Sequence, residues 1–140
     1  MTVIAKQTGV NVHLIDDTMN ERYSVVVTEA VTNGQVGYVL STGKYGVADA
    51  NAAGKQQARG LFIEAAGANG GSTLLKRGRV GGFDLSALAY DALVYLSDTA
   101  GALDTAAGTM SVTIGRVVPM SDSDYTKVLY VDCSWITTWA

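Results

Sequence analysis

Along the chain, β-branched and aromatic residues recur at alternate positions in short runs, and each run is bounded by Gly, Asn, Asp or Ser. A period of two marks a strand with one buried face, so the pattern predicts strands joined by tight turns. Eight strands are expected, over Asn11–Ile15, Arg22–Thr28, Val36–Ser41, Arg59–Ala65, Thr73–Val80, Ala92–Ser97, Ser111–Val118 and Lys127–Ser134. Thr32-Asn33-Gly34, Ser41-Thr42-Gly43, Asn69-Gly70-Gly71 and Thr99-Ala100-Gly101 each supply a residue that tolerates positive φ, as tight turns require. The run from Asp49 to Ala58 departs from the alternation. A capping Asp followed by Ala, Lys and Gln, with Gly60 to stop it, predicts a helix of one or two turns. Gly54 in its middle costs about 1 kcal/mol relative to Ala and keeps any such helix short.

Two stretches echo one another. Val36-Gly37-Tyr38-Val39-Leu40-Ser41-Thr42 is matched by Leu93-Val94-Tyr95-Leu96-Ser97-Asp98-Thr99, each with a Gly close behind. Gly54 and Arg59-Gly60-Leu61-Phe62-Ile63 are matched by Gly108 and Ile114-Gly115-Arg116-Val117-Val118. Partners lie about 54 to 57 residues apart, so duplication of a β unit and chance similarity between two β-rich segments are both open. The expected organisation is an N-terminal arm or first strand over 1–17, a single β domain over 18–133 with duplication candidates 34–66 and 91–121, and an apolar tail over 134–140. The expected fold class is all-β: a compact antiparallel barrel or sandwich, with at most one short helix.

Composition narrows the function classes. With 140 residues the chain suits one domain, and 48% hydrophobic against 16% charged residues excludes a disordered segment and a solvated helical bundle. Ten Lys and Arg against 13 Asp and Glu give a net charge of −3, so no global basic field favours nucleic acid. No run reaches the roughly 18 consecutive apolar residues of a membrane-spanning helix. The first residues lack a basic start followed by an apolar block, which points to synthesis in a cytosol. A lone cysteine, Cys133, and a lone histidine, His13, cannot together build a Cys/His zinc site or an internal disulfide.

Residues able to carry chemistry are equally few. His13 is the only imidazole that could serve as a base, and it sits in an alternating run where a strand-face histidine is ordinary. Cys133 alternates with Leu129, Val131 and Trp135, as a small buried hydrophobe would. Gly37 to Gly43-Lys44 has the wrong spacing, ends in Tyr45 and runs through an expected strand, so it is not a phosphate loop. Asp122 and Asp124 read as turn caps, since a calcium site wants six to eight oxygens. No catalytic residue, cofactor or metal is expected. Candidate contacts remain at the chain's apolar ends, Val3 and Ile4 at the start and Trp135, Ile136 and Trp139 in the tail, and at the basic run Lys76, Arg77 and Arg79. The tail either closes the protomer's own core or joins a subunit or partner interface.

Four segments, Leu75–Val80, Val94–Gly101, Gly115–Pro119 and Lys127–Asp132, with weaker support from Ala58-Arg59-Gly60, resemble the small capsid cement, or head decoration, proteins of tailed bacteriophages. The likeness covers about residues 30 to 132 and rests on strand-and-turn motifs. It implies a non-enzymatic, β-rich virion protein, made in the host cytoplasm, that binds the outer surface of an assembled head and stiffens it. Its implied partners are the major capsid protein and further copies of itself, commonly as trimers at or near threefold positions. Met1–Asp17 and Ser134–Ala140 match no family motif, and no site residue carries over. The alternative is a carbohydrate- or host-surface-binding β module, suggested by Tyr38, Tyr45, Tyr90 and Tyr95 near expected turns.

Overall fold

The computed structural model describes residues 2–7, 12–15, 20–121 and 123–133. Among them are ten strands and no helix: β1 (His13–Leu14), β2 (Glu21–Val26), β3 (Val36–Val39), β4 (Tyr45–Val47), β5 (Ala58–Phe62), β6 (Gly71–Gly81), β7 (Leu93–Leu96), β8 (Leu103–Asp104), β9 (Thr113–Pro119) and β10 (Lys127–Asp132). The fold is all-β, an antiparallel sheet curled into a half-barrel. Each expected run coincides with a strand, while β4 and β8, three and two residues long, are too short to show a period in the sequence.

No helix forms over Asp49–Ala58. The Asp49 carboxylate accepts from the Asn51 amide at 2.9 Å, and Gly54 takes a left-handed φ of 86° that an α-helix cannot continue through. Backbone groups here are also claimed by distant chain: the Ala50 amide donates to Ser97 O, and the Ala50 carbonyl accepts from Met110 N. Together with the Gly101 amide donating to Ala48 O, these bonds bring the chain leaving β4 against the segments around β7 and β8 and curl the sheet.

Strand order is β4-β3-β5-β6-β10-β9-β7-β8, with β1 and β2 also paired to the long β6. β4-β3-β5-β6 and β8-β7-β9-β10 therefore follow one plan, and they join where β6 pairs with β10 through Arg77 opposite Asp132. Register repeats as well. Val36 faces Leu61 and Gly37 faces Gly60, as Leu93 faces Arg116 and Val94 faces Gly115, and in both units the pairing slips by a bulge just before Tyr38 or Tyr95. Leu61 then faces Leu75 as Arg116 faces Tyr130.

The two units differ in the face they bury. The first turns Val36, Ala58, Leu61 and Leu75 into the main core, where they meet Val94, Val117, Leu129 and Val131 of the second. Its other face sends Phe62 and Leu74 into a smaller core with Val25, Val27, Val31 and Val47. The second unit buries chiefly one face: Leu93, Thr113, Arg116 and Tyr130 look outward from positions that are core in the first, while Val128, on the Tyr130 side of β10, is buried.

The N-terminal arm is tied to this frame at β8. Val3 bridges Asp104, the Ile4 amide donates to Leu103 O at 2.9 Å, and the Ile4 side chain enters the main core. Asp104 is fully buried and accepts from Thr2 N at 2.9 Å, Ala106 N at 3.2 Å and the Ser97 hydroxyl at 3.2 Å. Asp104→Ala is expected to cost about 1.5–3 kcal/mol, because it leaves those donors unmatched in a dry site. Hydrogen exchange should then quicken first at Ile4 and Thr105, and unchanged protection there would refute the tie.

Candidate interaction surface

The sequence-derived residues fall on separate elements. Val3 is 45% exposed at the β8 edge while Ile4 beside it is core. Lys76, Arg77 and Arg79 sit mid-strand in β6. Lys76 Nζ lies 3.3 Å from Glu21 Oε2, and Arg77 Nε donates to Asp132 Oδ1 at 3.2 Å. Arg79 is half-buried opposite Tyr130. Trp135, Ile136 and Trp139 lie outside the described residues.

Cys133 follows β10 and is buried in the main core, its amide bonded to Lys76 O. Burial, and then the Asp132 carboxylate, push its thiol from the ordinary 9.0 up to about 12, with Arg59 and Lys76 opposing. A thiol kept protonated by its surroundings is a poor nucleophile. A folded-state pKa above the unfolded one stabilises fully below pH 9, and that contribution is lost as the pH climbs from 9 towards 12. Native protein should therefore leave a thiol reagent unconsumed at pH 8 and react only on unfolding. Cys133→Val should flatten the alkaline arm of stability against pH, and rapid labelling of the native protein would contradict the burial.

His13 is exposed on β1 with its ring over Gly81. Among the described residues no group of three or more His, Cys, Asp and Glu is placed to hold a metal ion, and no helix is long and apolar enough to cross a membrane. Asp122 lies outside the described residues. Asp124 caps a turn, accepting from the Thr126 amide and hydroxyl, and these bonds hold its carboxyl below the usual range.

Two surface features remain. Tyr90 and Tyr125 are 47% and 70% exposed, and the Tyr90 hydroxyl donates to Tyr125 O. Lys127 Nζ stands 5.5 Å from the Tyr90 ring centre and donates to Leu88 O at 2.6 Å. They border a hollow of about 400 Å³ that also takes in Asp84 and Ser86. Of the four tyrosines singled out in the sequence, Tyr90 alone is exposed; Tyr38 and Tyr45 are packed against the two cores. Tyr125 was missed, since alternation reports burial within strands and is silent about turns.

The second feature is the outward face of β7, β9 and β10. Leu93, Thr113, Gly115, Arg116, Tyr130 and Asp132 line a hollow of about 580 Å³. Arg116 reaches Asp91, with its Nη1 3.3 Å from the carboxylate and donating to the Asp91 carbonyl at 2.9 Å. Cation and anion thus alternate over a face floored by Leu93 and Tyr130. No protein-family model, curated protein or solved structure matches this chain.

Proposed function

We propose that the protein is a structural, non-catalytic component of a tailed-phage virion, a decoration protein that binds the outer surface of the head and stabilises it, acting as a homotrimer. The observation that carries this reading is where the resembling segments sit. Leu75–Val80, Val94–Gly101, Gly115–Pro119 and Lys127–Asp132 follow one another along the chain and lie on, or begin on, β6, β7, β9 and β10, four consecutive positions in the sheet.

A repeating shell also suits a protein of low charge with broad sheet faces. Linked contacts at neighbouring sites raise one another's effective concentration, so each can be weak. The decisive experiment is co-sedimentation with expanded heads lacking their decoration protein, followed by cryo-electron microscopy. Saturable binding at a fixed ratio to the major capsid protein, with heads more resistant to heat, is expected. Heads that neither bind the protein nor gain stability would overturn the reading. A carbohydrate-binding module displayed on a virion is the second reading, favoured by the exposed Tyr90 and Tyr125 beside Lys127, because aromatic faces stack on sugar rings. A glycan array separates the two.

A further inference from the structure

We infer that the outward face of β7, β9 and β10 is a self-association surface whose partner is a second copy of this chain. The repeat within the molecule supplies the argument. Leu93, Thr113, Arg116 and Tyr130 hold the register positions that Val36, Ala58, Leu61 and Leu75 hold in the first unit. Those four counterparts are fully buried, and what buries them is a sheet of the same plan, the second unit. The molecule therefore already contains one worked example of this face covered by a sheet, there by the opposite face of the second unit.

The residues that replace the aliphatic core set fit a contact between separate molecules. Val36, Ala58, Leu61 and Leu75 serve a permanently dry core; Leu93, Thr113, Arg116 and Tyr130 serve a surface that must stay soluble when free. Tyr and Arg are enriched in interfaces because each offers a large apolar area with a polar tip. Arg77 beside Asp132 and Arg116 beside Asp91 leave the face electrically mixed, so a different surface of a second copy, as a cyclic trimer requires, can meet it without wholesale repulsion between like charges. The hollow of about 580 Å³ between Leu93 and Tyr130 gives room for an inserted side chain.

The inference names the surface for the self-association in the reading above and rests on that reading only for its biological setting. Analytical ultracentrifugation of the full chain tests it, comparing wild type with Leu93→Asp, Arg116→Glu and, as a control away from the face, Lys44→Glu. Wild type and the control should sediment as the same oligomer, and either face variant should weaken association by about tenfold or more with its β circular dichroism retained. Should a variant unfold, hydrogen exchange of wild type over a concentration series still decides. Protection in β9 and β10 that rises with concentration supports the inference, and concentration-independent exchange refutes it. A strictly monomeric wild type, including one whose own tail covers the face, overturns it, as does an oligomer indifferent to both substitutions. Head binding by a monomer would sink this inference and the trimer with it while leaving the decoration role standing; an oligomer lost in the variants but blind to heads would overturn the decoration role and leave this inference standing.

Discussion

Gly115→Ala is expected to destabilise the protein by more than about 3 kcal/mol and to lower the melting temperature by about 10 °C. An added Cβ would lie 1.9 Å from the Tyr130 carbonyl oxygen and 2.9 Å from its carbon, and neither is the end of a side chain that can swing away. β9 and β10 would have to part at the Gly115 end of a ladder that runs from Lys127 opposite Pro119 to Val131 opposite Gly115. The glycine is required by space, since its φ is not among the positive ones. Gly60→Ala should act in the same direction with a smaller effect, because its Cβ would meet Leu75 O at 2.6 Å in the equivalent place of the first unit. Urea unfolding of both variants measures this, and a Gly115→Ala protein within about 0.5 kcal/mol of wild type would show that the strands do not approach so closely.

Phe62→Ala should cost about 3–5 kcal/mol, the range for deleting a buried aromatic ring. Phe62 is fully buried and is the largest side chain of the smaller core, which has few other residues to collapse into its place. Its ring lies over Gly37, where a Cβ would be 2.6 Å from Cζ. That contact makes a sharper expectation than the single variant alone. Gly37→Ala should be destabilising in wild type and much less so in the Phe62→Ala background, where the methyl enters vacated space. A double-mutant cycle reads the coupling, and strict additivity would mean that Phe62 and Gly37 do not share the site.

Strand identity was legible because burial on one face writes itself into the sequence as alternation, and all eight runs with enough residues to show it became strands. β4 and β8 were invisible for want of length. The expected helix over Asp49–Ala58 failed for a different reason: propensity is local, whereas Ala50 is bonded to Ser97 and Met110, residues far along the chain. The candidate surface was legible only in part. Arg77, Arg79 and Ile4 could be singled out as charged or apolar, but that Ile4 is core and that Arg77 meets Asp132 depends on which strands are neighbours.

By itself the sequence determined an all-β chain with low charge, tight glycine turns and two similar stretches, since each of these is a property of neighbouring residues or of composition. Only the tertiary structure decided which faces of those stretches are buried. Leu61 and Arg116 occupy one register position, yet the first is core and the second meets solvent, because the curl of the sheet lays one unit's face against the opposite face of the other. Alternation within a strand marks an apolar face but not which strands will cover it, and that is decided by strands pairing across the whole length of the chain.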